Sequence, residues 1–212
     1  WWVEEFIDQE VGLIVKTNIK NNSSMDLEAT QESLKNILNK YPDRKCKVYL
    51  LHGDLTSGQM TGLYLNPKIK AMINIAHGEG FGLPLFEAAR EALPIVTIGW
   101  SGQTDFLHHN GKDYFQSVDF VLNTVQQESA WPGVIEPDSK WAYADQGSYK
   151  MSLRKVYKKW DMMKERALEL KTINDEKFSN ERLYKLFVDS IIGFDSSLIM
   201  TDDENEEVME FE

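Results

Sequence analysis

Two carboxylates, Glu79 and Glu87, stand with seven residues between them in a stretch that also holds Gly78, Gly80 and Gly82. The stretch reads His77-Gly78-Glu79-Gly80-Phe81-Gly82-Leu83-Pro84-Leu85-Phe86-Glu87. Glycine has no Cβ, so it lets backbone approach a ligand closely and reach positive φ. Pro84 suits the first turn of a helix, where its missing N–H costs nothing. The first N–H groups of such a helix have no partner within it, and its dipole favours anions. A phosphate or diphosphate fits there. Glu79 precedes the helix and Glu87 lies about one turn inside it, so both can face one crevice. Carboxylates accept paired hydrogen bonds from vicinal hydroxyls. A diphosphate cradle between two hydroxyl-binding acids has the chemical outline of a nucleotide sugar. The plain alternative is a loop acid and a helix-surface acid near a favourable dipole; it leaves the glycines unexplained.

A loop of this kind belongs at the carboxyl end of a parallel strand, where open α/β sheets bind ligands. The chain supplies the strands. Val11 to Val15, Val48 to Leu51, Ala71 to Ala76 and Ile95 to Ile98 are short apolar runs of the sort covered on both faces. Helices are expected between them. One runs from an Asp26 N-cap to about Lys40, with Leu27, Leu34, Ile37 and Leu38 inward. Another opens at the capping-box spacing Thr56-Ser57-Gly58-Gln59 and ends near Leu65, and a third runs from Pro84 to about Ala92. The expected fold is α/β, a doubly wound parallel sheet. Residues 126–147 read as irregular chain, followed by a helix from Tyr149 to Leu170 and a last helix capped by Ser179.

The remaining residues narrow the classes. A net charge of −11 over 212 residues repels the nucleic-acid backbone and anionic membranes, so no nucleic-acid partner is expected. Part of that charge sits in an acidic tail, 196–212, of a composition that stays solvated. No apolar run approaches the roughly 20 residues of a membrane span. A single cysteine, Cys46, fits a buried small hydrophobe in a reducing, cytoplasmic compartment. His108-His109 lacks a ligand set at metal spacing. Trp131, Trp141 and Trp160 read as packing, and Lys155, Lys158 and Lys159 as a solvated helix face. Ser101 and Thr104 fit either phosphate contact or turn duty; His77 fits an acid, a ligand contact or a surface residue.

The segment His77 to Glu91 resembles the signature of the group 1 retaining glycosyltransferases, enzymes with two Rossmann-like domains (the GT-B fold). That family's motif is Glu-Gly-Phe-Gly-Leu-Pro followed by Glu-Ala at the spacing Glu79 and Glu87 keep. The similarity extends through Leu51-His52-Gly53-Asp54-Leu55 and Trp100-Ser101-Gly102-Gln103-Thr104-Asp105-Phe106, over roughly residues 1–195. It implies a donor-binding domain in residues 1–195 that begins inside that domain, without an N-terminal acceptor domain. The implied catalytic acid is Glu79, on a donor-sugar hydroxyl. Phe81 and Gly82 would touch sugar and phosphate, with Gly78, Gly80 and Leu83 alongside, and Glu87 would hold the ribose. Gly53 and Leu55 would flank the base. The family's diphosphate-neutralising Arg and Lys have no counterpart here, which leaves Lys16 and Lys20 as second-choice phosphate partners, with Thr104 beside them. The resemblance implies a nucleotide-sugar donor, retention, no cofactor, no metal, and an unspecified acceptor (glycan, lipid or small molecule). Other functions considered are a non-catalytic nucleotide-binding or scaffold module and a nucleotide-sugar epimerase. A phosphate-receiving signalling domain needs acids that Val15-Lys16-Thr17 does not offer.

Overall fold

Short apolar runs separated by helices can bury their backbone polar groups as parallel strands joined by helical crossovers. The computed structural model has that architecture. It describes residues 1–20 and 22–192, which divide into two compact units, one through Thr172 and one from Ile173. The acidic segment 196–212 lies outside the described residues. The first unit opens with α1 (Trp2–Glu5), β1 (Gly12–Thr17), α2 (Ser24–Leu38) and β2 (Lys47–His52). It continues with α3 (Ser57–Leu65), β3 (Met72–Asn74), α4 (Leu83–Arg90) and β4 (Ile95–Ile98). A short helix α5 (Thr104–Leu107) leads into the small hairpin β5 (His108–His109) and β6 (Lys112–Asp113). Next come β7 (Gln116–Val118), β8 (Phe120–Thr124), β9 (Lys140–Ala144) and the helices α6 (Gln146–Lys158) and α7 (Trp160–Lys177); α8 (Asn180–Ile192) belongs to the second unit.

Strand β1 pairs in parallel with β2, while β4 lies between β3 and β7, parallel to both. The fold is α/β and Rossmann-like, with parallel strands and C-terminal helices. All four residues of β4 are buried, as its unbroken apolar run requires. Val96, Ile98 and Val118 share a core with Trp2 and Val3 of α1, with Phe6 just after it, and with Tyr149, Leu153 and Val156 of α6. A second cluster joins Tyr64 of α3 to Ala88 of α4 and to Leu93. Cys46 is buried, as expected. No helix among the described residues is long and apolar enough to cross a membrane.

Several local expectations change. Ser23, not Asp26, caps α2, accepting the Asp26 N–H at 3.2 Å; Asp26 is buried one turn inside. The inward stripe of α2 is Asp26, Thr30, Leu34 and Leu38, spaced by four. Ile37 falls beside that stripe and is 54% exposed. Strand β1 alternates exposed and half-buried residues instead of being covered on both faces. Ile14 and its cross-strand partner Tyr49 are both exposed, so one face of the β1–β2 pair is open. Residues 126–147 are not wholly irregular, because β9 pairs antiparallel with β8. The helix expected from Tyr149 to Leu170 is two helices, broken at Lys159, where φ is −122°. Trp131 is 65% exposed and does not pack. The Thr56–Gln59 capping box forms as expected, and in the second unit Ser179 Oγ accepts the Arg182 N–H at 3.3 Å. Lys155, Lys158 and Lys159 are exposed.

Leu85, on the second turn-facing stripe of α4, is fully buried. Removing its side chain leaves a cavity directly beneath the glycine loop. Leu85→Ala is expected to lower unfolding free energy by about 2–5 kcal/mol, read as a shifted midpoint in urea denaturation. A loss below about 1 kcal/mol would mean that α4 is not anchored through this residue.

Candidate functional site

Asn74 is where β3 stops. Its side-chain oxygen accepts the Ala76 N–H at 2.7 Å, an Asx-type turn that diverts the backbone from the sheet. Its amide nitrogen donates to Glu79 Oε1 at 2.8 Å. One side chain therefore ends the strand and orients the acid. The backbone of Glu79 is held from the other side. Ser101 Oγ donates to the Glu79 carbonyl at 2.7 Å and accepts its N–H at 3.2 Å, and the Gly102 N–H reaches the same carbonyl at 3.0 Å. Ser101 sits at φ 78°, unusual for a side chain that is not glycine. Its two bonds to Glu79 offset that cost.

Two glycines are required by this contact. A Cβ on Gly102 would lie 1.9 Å from the Gly80 carbonyl oxygen, far inside contact distance. Gly82, at φ 84°, is the N-cap of α4, and no side chain caps that helix. The Leu85 and Phe86 N–H groups turn back to the Gly82 carbonyl. Phe81 is 37% exposed and packs its ring between those of Phe86 and Phe106, at 5.2 and 5.1 Å. Leu83 is exposed. Gly78 faces the Trp100 ring.

Glu87 is half-buried in α4. Its Oε2 lies 3.5 Å from the Tyr64 hydroxyl of α3, the outer limit of a hydrogen bond. Burial first, then the Glu87 charge and its hydrogen bond, push the Tyr64 hydroxyl up to about 12. Tyr64 thus stays a neutral donor across the physiological range.

The ends of β1 and β2 form a separate group. Lys16 Nζ donates to the Gly53 carbonyl, and Asn22 Nδ2 donates to Asp54. Gly53 is buried at φ 88°, and Leu55 is half-buried. Lys16 and Gly53 are brought together, so part of the ammonium's donor capacity is used on the protein. The buried carboxylate of Asp26 braces this corner. It accepts the N–H groups of Ile19 and Lys20 at 3.1 and 2.8 Å and meets His52 Nε2 at 2.7 Å. Burial raises the Asp26 pKa, but the His52 ring and the two amides outweigh it, and the net shift is downward.

His77 is half-buried against the β8–β9 hairpin. Its ring stacks on Trp141 at 5.0 Å and 8° and lies 4.6 Å from Tyr143. Nδ1 meets the Ala142 carbonyl at 2.8 Å, and the Ala142 N–H meets the His77 carbonyl at 3.1 Å. A carbonyl only accepts, so Nδ1 holds the proton. Trp160 donates to the Lys70 carbonyl at 2.9 Å. Thr104 Oγ1 donates to the Ser101 carbonyl at 2.8 Å, which is turn duty. His108 pairs with Asp113 at 2.6 Å across the β5–β6 hairpin. Among the described residues no group of three or more His, Cys, Asp or Glu side chains is placed to hold a metal. A cavity of about 480 Å³ opens beside the loop, and Thr104 is the one expected site residue that lines it.

Sequence reasoning did not find Asn74, Tyr64 or the Gly102 contact. Asn74 had a local signal, an Asn closing an apolar run. Tyr64 and Gly102 act across distances of 23 and 22 residues in sequence, from Glu87 and Gly80.

No protein-family model matches the sequence, and no curated protein matches it. Among solved structures, a chain from the crystal structure of a GtfA/B complex resembles this one at 13% identity and a TM-score of 0.45. The likeness covers 86% of this chain and 36% of that one.

Two outcomes follow from the geometry. Gly102→Ala places a methyl group against a backbone carbonyl that cannot swing aside, and is expected to cost about 1–3 kcal/mol of stability. Thermal unfolding checks it; an unchanged midpoint would mean that the two loops are not in contact. Asp26 has a depressed pKa in the folded state, so its contribution to stability is present above its ordinary value of 3.8 and is lost as pH falls through the depressed one. Asp26→Asn should remove that acid limb from a plot of denaturation midpoint against pH. A mutant whose profile superimposes on the parent's would contradict it.

Proposed function

We propose that this chain binds a nucleotide sugar and forms the donor half of a retaining glycosyltransferase. The observation that supports this reading best is the seating of Glu79. It is a carboxylate oriented by Asn74 and held through its backbone by Ser101 and Gly102, at the carboxyl end of β3 and just ahead of an α-helix that no side chain caps. The N-terminus of α4 and the amides of residues 80–83 are the natural seat of a diphosphate. Glu79 is assigned the donor sugar's hydroxyls, and Glu87, supported by Tyr64, the ribose.

In the proposed reaction the bond from the anomeric carbon to the diphosphate oxygen breaks, and the electron pair leaves with the nucleotide diphosphate. The acceptor hydroxyl forms the new bond and passes its proton to the departing diphosphate. The protein's part is positioning and electrostatics: helix and loop dipoles stabilise the departing diphosphate, and Glu79 fixes the sugar. The acceptor, the retention of configuration and the absence of a metal are expectations drawn from the sequence resemblance. A scaffold that binds nucleotide without reading the sugar is the alternative.

Thermal shift with UDP-, GDP- and ADP-sugars and with the matching free diphosphates separates the two, since a ligand of the native state raises the melting temperature. A larger shift for an intact donor than for its diphosphate supports the transferase; equal shifts support the scaffold. Glu87→Ala should weaken donor binding by about 1–3 kcal/mol in calorimetry. Unchanged affinity would remove Glu87 from the site.

A further inference from the structure

Helix α5 and the β5–β6 hairpin overhang the carboxyl ends of β4 and β7, and the cavity of about 480 Å³ lies there, lined by neither Glu79 nor Glu87. Its place is where parallel sheets take ligands, and its size is within the roughly 300–1,000 Å³ of small-molecule sites. Gly99, at its wall, has no room to spare: a Cβ there would press on the Phe115 ring at 3.3 Å. The geometry points to a second binding site in this cavity, for a neutral sugar residue.

The wall chemistry selects that class. Asp119 and Asp113 line the cavity together with His108, which holds Asp113 at 2.6 Å, so the carboxylate open to a ligand is that of Asp119, and a carboxylate only accepts hydrogen bonds. The ligand must therefore donate. A phosphate brings acceptors and negative charge, and the unpaired Asp119 carboxylate repels it. The Ser117 hydroxyl adds a polar contact, and the half-buried Phe120 ring offers an apolar surface to the C–H face of a sugar. A metal ion fits less well, because the described residues place no three-ligand group there. Asp119 is fixed through its backbone. Its N–H donates to Ser148 Oγ at 2.9 Å and its carbonyl accepts the Asp145 N–H at 2.7 Å. Among the described residues its carboxylate has no partner, so the side chain can be changed without breaking a bond that holds the fold. This site does not depend on the donor reading.

Saturation-transfer NMR on the full chain tests it, with the methyl glycosides of glucose, galactose, mannose and N-acetylglucosamine as ligands and inorganic pyrophosphate as competitor. At least one glycoside should receive saturation, and pyrophosphate should not displace it. Asp119→Ala should raise its Kd about tenfold, the scale of one lost charge-assisted hydrogen bond. Asp119→Asn, which keeps the side chain's size and removes its charge, should act in the same direction, and it decides the matter if Asp119→Ala fails to fold. Glu87→Ala should leave the signal intact. The assignment is overturned if no glycoside receives saturation or if pyrophosphate displaces it. It is overturned equally if both Asp variants bind as the parent does, or if Glu87→Ala abolishes the signal.

Discussion

The site depends on one close approach of two backbones. The turn after β4 lies against the turn after β3, Gly102 against Gly80, with the Glu79 carbonyl taking bonds from both Ser101 and Gly102. Side chains cannot fill that space, because the carbonyl of Gly80 occupies the position a Cβ would need. Two parallel strands deliver the loops side by side, and the contact converts neighbouring strand ends into one rigid shelf. Everything chemical in the region is mounted on it. The Glu79 carboxylate projects from the shelf's edge, and Gly82 starts α4 from its far end.

The remaining anchoring is apolar and lies behind the shelf. Leu85, Ala88 and Ala89 of α4 are fully buried, as is Phe106 of α5. Phe81 extends that packing to the surface through its contacts with Phe86 and Phe106. Glycine loops are entropically costly to order. Here the cost is met by a packed helix on one side and a hydroxyl clamp on the other.

Much of this was legible in the residues. The apolar runs gave β1 to β4 in order and parallel, because an unbroken run of four or five such residues has few other uses in a chain of this size. The motif placed Glu79 ahead of a helix and Glu87 within it, and Pro84 falls in the first turn. What escaped depends on distant partners. Tyr64 reaches Glu87 from another helix. Strand β9 exists only because β8 is there to pair with it. Asp26 read as a cap since its type favours caps, yet Ser23 was available three residues earlier and the carboxylate found His52 and two amides instead. Trp131 was expected to pack because tryptophan is large and apolar; its local turn, closed by a bridge to Ile135, leaves it outside.

His77 links the shelf to the β8–β9 hairpin through its backbone carbonyl and its ring nitrogen at once, both to Ala142. Because the two bonds share both partners, neither relaxes while the other holds. The hairpin and the glycine turn are thus tied at one residue pair, with the His77 ring stacked on Trp141 beside it. The pair joins two segments that lie 65 residues apart in sequence.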